Sequence, residues 1–260
     1  MSRKLVSAIL GVLLFSTFAA AQTTVPLNTG YNHAFFTPYT PVTTPISTTT
    51  DQYWINIASY PNTTSAVAPA FVLQTPSVWL LALPSSSWIS ARNEANSVSG
   101  VNSNNPGYTI FRKCFCLLPN YTAPQISFTA RADDTLQMWI NTQTNVLLSP
   151  QFGSFSGSAL SSLPSNPSWF HAGLNCIYAL VEDQYGGQMG FDLAGTVQAN
   201  GLAPQAVAGT GPLTCSCNGT TQTPSDSIVV AERDDRAVVA ALVQIAETRR
   251  AGRIPRLPSH

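Results

Sequence analysis

The chain has 260 residues, and its 12 basic and 12 acidic side chains give no net charge at pH 7. Only 9% of the residues are charged, and residues 22–224 hold seven acidic side chains against four basic ones. Nucleic acid requires a basic footprint, so this composition argues against a nucleic-acid-binding protein.

Residues 1–21 have the organisation of a secretory signal peptide. Arg3 and Lys4 precede the apolar run LVSAILGVLLFSTF, and the small residues Ala19 and Ala21 follow it. The run is too short for a membrane-spanning helix, although a retained signal anchor is the alternative. No second apolar run of spanning length follows. We therefore expect cleavage near Ala21 and a secreted mature chain, periplasmic or extracellular, without a transmembrane segment.

The next two segments differ sharply in pattern. Residues 22–50 are rich in Thr and Pro and predict an extended leader, with one edge strand around His33–Phe36. Residues 51–200 hold short alternating runs separated by Pro, Gly and Asn turns, and no amphipathic helix interrupts them. This pattern predicts an all-β domain, an antiparallel β-sandwich or jelly roll of about eight to ten strands.

The segment RADDTLQMWIN, residues 131–141, places two adjacent carboxylates before an alternating strand. Leu136, Met138 and Ile140 fall on one face of that strand, with Trp139 on the other. Asp133 and Asp134 are expected to point apart and to form the turn that enters the strand, one of them accepting backbone N–H bonds. Calcium coordination with Asp183 is the alternative.

The C-terminal part changes composition. Residues 201–225 predict a linker containing a Cys-x-Cys unit, and residues 226–260 predict an amphipathic helix followed by a basic tail. Val238, Leu242 and Ile245 recur at helical spacing. The helix therefore has four open interpretations. It docks on the sandwich, pairs with a protein partner through residues 226–250, lies on an anionic surface, or frays on a flexible linker.

The chain contains five cysteines, and export makes disulfides the expected state. Two Cys-x-Cys units also resemble half of a thiolate metal site, but zinc ligands are usually spaced more widely. We expect two disulfides and one unpaired cysteine, with Cys176 bonded across strands to Cys114 or Cys116. The candidates are Cys114, Cys116, Cys176, Cys215 and Cys217.

Several short motifs follow one another in a familiar order. They include YTIFRKCFCL, ADDTLQMWIN, FHAGLNCIYALV and GFDLAG, between residues 51 and 199. In this order they resemble the galactose-binding-like β-sandwich modules of exported bacterial proteins. The sequence departs from that pattern after Asn141, where Thr replaces Gly and a long hairpin follows. The resemblance implies a sandwich fold, and it implies carbohydrate binding for many but not all such modules.

The candidate ligand-binding residues are two aromatic side chains and two carboxylates, namely Trp169, Trp139, Asp133 and Asp134. The sequence contains no G-x-S-x-G, H-E-x-x-H or P-loop motif, so no catalytic residue and no cofactor other than calcium is expected. Asn-x-Ser/Thr acceptor motifs occur at Asn62, Asn120 and Asn218.

We therefore expect a secreted, non-catalytic module that binds carbohydrate or a cell-surface polymer. A structural or adhesive module that assembles through its C-terminal helix is the first alternative. A glycan-active hydrolase or lyase is the second.

Overall fold

The computed structural model describes residues 23–30, 50–60, 68–91, 107–153, 155–185, 187–202 and 227–253. The predicted signal peptide, the edge strand around His33–Phe36 and most of the linker lie outside these residues. The elements are β1 (Thr23–Pro26), β2 (Thr50–Tyr60), β3 (Ala68–Val72), β4 (Ile89–Ser90), β5 (Gly107–Asp133), β6 (Thr135–Ile140), β7 (Thr142–Phe152), β8 (Leu160–Ser161), β9 (Gly173–Asp183), β10 (Gly190–Leu202) and α1 (Ser227–Arg253).

The ten strands form an antiparallel β-sandwich, which confirms the predicted fold class. The ladder order is β1-β10-β4-β3-β2-β5-β9-β6-β7, with β8 beside β5 and a further pairing between β5 and β10. No helix among the described residues is long and apolar enough to cross a membrane. The finer galactose-binding-like assignment stays a prediction.

The long strand β5 belongs to both layers of the sandwich. Its first part, residues 107–117, pairs with β9, and its second part, residues 125–133, pairs with β10. The exposed segment around residues 118–123 turns the chain between them, and Ala123 there has a left-handed φ of 51°. The two ends of β5 therefore lie at one end of the sandwich, and its bend lies at the other.

The main core lies between the two layers. Alternation places Leu136, Met138 and Ile140 of β6 in it, as the sequence predicts. Trp54 and Phe111 pack edgewise or tilted against Phe191, with ring centroids 5.2 and 4.9 Å apart. These large apolar side chains are fully buried and supply the hydrophobic driving force of the fold.

The helix α1 docks on the outer face of the sandwich. Val238, Leu242 and Ala246 are buried there in a second apolar cluster with Trp139 and Tyr178. Of the open interpretations for this segment, the structure shows docking of residues 236–250 on the sheet. The described part of α1 runs to Arg253.

The sandwich begins before the predicted domain boundary at residue 51. Thr23–Pro26 pairs antiparallel with Thr196–Ala199 of β10, and Leu27 is fully buried. The Trp54 indole donates to the Leu27 carbonyl at 2.8 Å. The described part of the predicted leader is therefore an integral edge of the sheet, because one buried Leu and four paired residues tie it to the core.

A disulfide joins Cys114 of β5 to Cys176 of β9, with their Cα atoms 4.1 Å apart. The two residues are direct partners in the β5–β9 register, as expected for a cross-strand bond. Cys116 is also disulfide-bonded. Cys215 and Cys217 lie outside the described residues.

Candidate functional site at the acidic end

Three carboxylates meet at one end of the sandwich. β5 ends at Asp133, Asp134 forms the bend, and β6 begins at Thr135. The register pairs Thr135 with Glu182 and brings the end of β9, at Asp183, beside this bend. We call the group of Asp133, Asp134 and Asp183 the acidic end.

Asp133 is nearly buried beneath an indole ring. Its Oδ2 atom accepts a hydrogen bond of 2.8 Å from Nε1 of Trp79. Trp79 is itself 5% exposed and packs on Trp88 with 4.4 Å between ring centroids. An indole N–H that finds a carboxylate partner when buried fixes the position of that carboxylate.

Asp134 holds the bend to the neighbouring strands. Its Oδ2 atom accepts from the backbone N–H of Gln184 at 2.8 Å, and its own N–H donates to the Glu182 carbonyl at 3.1 Å. The Gly153 N–H donates to the Asp134 carbonyl. Asp134 thus accepts a backbone N–H bond, but from Gln184 after the end of β9 and not from its own turn, where the sequence predicts it. The peptide bond between the two aspartates is cis.

The carboxyl groups of Asp133 and Asp134 come together, so the expectation that they point apart was wrong. Asp134 lies outside both strands, and the alternation of a continuous strand does not govern its side chain. Burial, the hydrogen bond that protonated Asp133 donates to the Asp134 carboxylate, and the charges of Asp134 and Asp183 raise the pKa of Asp133 to about 8. At neutral pH, Asp133 therefore carries a proton that an added positive charge would displace.

Asp183 completes the acidic end from the β9 side. It is 1% exposed, and its Oδ1 atom accepts from the Tyr185 N–H at 3.2 Å. Carboxylate oxygens are hard ligands that suit Ca²⁺. The described residues nevertheless contain no set of three His, Cys, Asp or Glu side chains arranged to hold a metal ion by themselves. The aspartates therefore match Ca²⁺ in the kind of donor atom, but the three are not arranged around one metal position.

Exposed apolar and aromatic side chains surround the acidic end. Tyr185 is 68% exposed and follows Gln184, which is bonded to Asp134. Phe152 is 64% exposed and pairs in register with Thr135. Leu81, 82% exposed, accepts from Arg131 through its carbonyl. The acidic end thus combines buried carboxylates with open surfaces on which an apolar sugar face can stack.

Trp139, a candidate ligand platform, is 1% exposed. It lies on the face of β6 opposite Leu136, Met138 and Ile140, as the alternation predicts, but α1 covers that face and leaves no open ring for a ligand. The alternation of β6 places Trp139 on the face away from the main core. That face is also buried from solvent, because α1 packs on it.

Trp169, the other aromatic candidate, is half-buried against the main core. Its carbonyl accepts from Nδ2 of Asn141 at 2.8 Å. Asn141 follows the last residue of β6, whereas Asp134 precedes the first, so the six-residue strand separates them by about 20 Å. Trp169 and the acidic end therefore do not form one site.

Asp192, a further carboxylate on β10, is fully buried. Its carboxylate accepts from the Leu83 N–H at 2.6 Å, from the Ser86 hydroxyl and from the Thr29 hydroxyl. Burial raises its pKa, and these donors oppose the rise. Asp192 therefore holds the loop before β4 through these donors.

Two contributors to the site escaped sequence reasoning. Trp79 stands in an apolar run that resembles core strand, and only the fold brings its N–H to Asp133. Tyr185 lies in QYGGQMGF, a Gly-rich turn. An aromatic residue inside such a turn is a signal of exposure that could have identified it.

No protein-family profile matches the chain, and no curated protein matches it. The chain is similar to the PA14 domain of the MpAFP antifreeze protein, with 19% identity and a TM-score of 0.25 over 41% of this chain and 50% of that chain. It is also similar to the PA14 sugar-binding domain from an RTX adhesin, with 12% identity and a TM-score of 0.25 over 39% of this chain and 56% of that chain. The chain thus spans about half the length of each.

Proposed function

We propose that the chain is an exported, non-catalytic β-sandwich module that binds carbohydrate or another cell-surface polymer at its acidic end, with Ca²⁺ as the cofactor. The crowding of Asp133, Asp134 and Asp183 carries this proposal. Three carboxyl groups this close repel one another when charged, and a bound divalent cation removes that repulsion. Exposed Tyr185 supplies the adjoining stacking surface.

One or two of these aspartates would hold the cation with their carboxylate oxygens, because the described residues contain no group of three His, Cys, Asp or Glu side chains that could hold a metal ion. Ca²⁺ takes six to eight oxygen ligands, so backbone carbonyls, water and hydroxyl groups of the ligand would complete its shell. A polyhydroxylated ligand matches that requirement, and a site in which the ligand supplies coordinating oxygens binds it only when the cation is present. Ca²⁺ bound here would supply positive charge for the hydroxyl oxygens of the ligand, and the hydrogen bond from Trp79 would hold the Asp133 carboxylate in position.

The disulfide between Cys114 and Cys176 supports export, because such bonds form and persist in oxidising compartments. The signal peptide stays a prediction, since residues 1–21 lie outside the described part of the chain.

The two alternatives find less support in the contacts. Assembly through the C-terminal helix needs a free apolar face, but Val238, Leu242 and Ala246 are buried against the chain's own sheet. Glycosidase carboxylates act across a cleft about 5–10 Å wide. Asp133 and Asp134 instead share a hydrogen bond.

Ca²⁺ titration of the full chain, followed by thermal unfolding and calorimetry, tests the cation. We expect Ca²⁺ to raise the Tm and Asp134→Asn to weaken its affinity about tenfold or more, equivalent to at least about 1.4 kcal/mol. Glu247→Gln, on α1, is the control and should retain the wild-type affinity. An unchanged Tm at millimolar Ca²⁺ would count against the cation.

A glycan array with and without Ca²⁺ tests the ligand class. We expect Ca²⁺-dependent binding that Tyr185→Ala reduces and that Trp169→Ala leaves unchanged. The absence of binding to any polysaccharide would remove the carbohydrate part of the proposal even where Ca²⁺ binds.

A further inference from the structure

The sequence Asn120-Tyr121-Thr122 is an N-glycan acceptor motif, with an amide at the first position, a hydroxyl at the third and no proline between them. It falls on the bend of β5, between the part of that strand that pairs with β9 and the part that pairs with β10. Asn120 and Thr122 are both exposed in the folded chain.

We propose that Asn120 is an acceptor site for an N-linked oligosaccharide, which would project from the end of the sandwich opposite the acidic end. The inference is independent of the proposed function, because it depends on the motif, its exposure and its position on the bend.

The segment that carries Asn120 is anchored by the two residues that follow it. The Tyr121 hydroxyl donates to the Phe170 carbonyl at 2.9 Å, and the Thr122 hydroxyl accepts from Nδ2 of Asn200 at 3.0 Å. These contacts leave the Asn120 side chain exposed while they fix its backbone. An attached sugar therefore displaces no core group and has a defined direction from the domain.

The position of Asn120 keeps the sugar away from the acidic end. The second part of β5 runs from Gln125 to Asp133 in register with β10. At about 3.4 Å per residue, this places the bend roughly 25–30 Å from Asp133. The same bend lies beside Phe170, next to Trp169. A glycan there covers the surface near Trp169 and leaves Tyr185 open.

The modification transfers an oligosaccharide to Asn120 from a lipid-linked oligosaccharide diphosphate, which is the donor that the reaction requires. Nδ2 of Asn120 forms a bond to the anomeric carbon of the sugar, and the bond from that carbon to the diphosphate oxygen breaks. The lipid diphosphate leaves with the electron pair, and Nδ2 loses one proton. The +2 hydroxyl of Thr122 is part of the acceptor motif.

Secretion of the full chain from a eukaryotic host tests the proposal. A second secreted protein with a known acceptor site, produced in the same cells, verifies that the host transfers glycans. We expect peptide N-glycosidase to lower the intact mass and to convert residue 120 to Asp in the peptide map. Asn120→Gln and Thr122→Ala should abolish the modification, and Thr122→Ser should retain it.

Asn200→Ala is the matched control, because it removes the contact to Thr122 without changing the motif. It should leave the glycan in place. An unmodified peptide containing Asn120, from cells that glycosylate the second protein, would overturn the proposal. Folding is monitored by the Cys114–Cys176 disulfide in the same map, so a misfolded variant is recognised. A change of Ca²⁺ affinity after deglycosylation would overturn the assignment of the glycan to the far end.

Discussion

Arg249 of α1 forms an ion pair of 2.9 Å with Glu182 of β9, and its second guanidinium nitrogen donates to Oε1 of Gln137 on β6. One helical side chain thus joins the two strands whose ends carry Asp134 and Asp183. The Glu182 side chain is only 4% exposed, so its charge depends on this partner more than a surface carboxylate would.

We expect Arg249→Met to lower the free energy of unfolding by about 1–3 kcal/mol, since it takes the guanidinium away from a buried carboxylate and a buried amide. The measurement is urea unfolding followed by circular dichroism. Arg236→Met, on an exposed position of the same helix, should change stability by no more than about 0.5 kcal/mol. Equal effects of the two substitutions would show that the ion pair with Glu182 contributes nothing.

Leu242 is fully buried between α1 and the outer face of the sheet. We expect Leu242→Ala to destabilise the protein by about 2–5 kcal/mol, the usual cost of such a truncation. The Trp139 indole beneath the helix should become accessible to acrylamide quenching. Gln244→Ala, at an exposed position two residues on, is the control. Unchanged unfolding and quenching for Leu242→Ala would mean that the helix does not dock in solution.

The alternation of residues 135–140 predicts strand β6 and its core face correctly, because side-chain direction in a strand is a local property. The burial of its second face could not be predicted the same way. Trp139 is buried because the apolar side chains of α1, about 100 positions away in the chain, cluster with it on that face. Helical spacing identifies the apolar residues of α1, but it does not say what they cover.

The acidic end was predictable only in part, because its residues are set by local sequence but their convergence is set by non-local pairing. Adjacent Asp133 and Asp134 are visible in the sequence as a turn, and Asp183 is visible as a strand end. Their convergence depends on the β6–β9 register, which is set by non-local pairing. Asp192 has the same local appearance as Asp183, yet the Ser86 and Thr29 hydroxyls bind it in the interior. Sequence alone does not separate these two roles.

The disulfide between Cys114 and Cys176 closes a loop of 62 residues. Loss of loop entropy in the unfolded chain makes such a bond worth about 4 kcal/mol. We expect the Cys114→Ser/Cys176→Ser double variant to lose stability of that order in denaturant unfolding. Peptide mapping of the secreted wild type without reduction should show two disulfides and one thiol. Five free thiols would contradict export into an oxidising compartment.

Lys113 and Asp51 are both buried in the interior, where Nζ of Lys113 lies 5.1 Å from the Tyr53 ring centroid and donates to the Asn28 carbonyl at 3.5 Å. Asp51 accepts backbone N–H bonds from Gly30, Tyr53 and Trp54. Burial lowers the pKa of Lys113 to about 8, and the charge of Asp51 opposes this shift. The folded state therefore binds fewer protons than the unfolded state between pH 8 and the ordinary lysine pKa of 10.5.

Stability should rise with pH in this window, by no more than about 1.4 kcal/mol per pH unit for one titrating group. We expect the rise between about pH 8 and 9.5 in urea unfolding, below the range in which tyrosines ionise. Lys113→Arg should lose the slope because its guanidinium stays charged. Lys113→Met should also lose it, and should cost about 3–5 kcal/mol by leaving Asp51 buried without its lysine. A slope that survives both substitutions would assign the titration to another group.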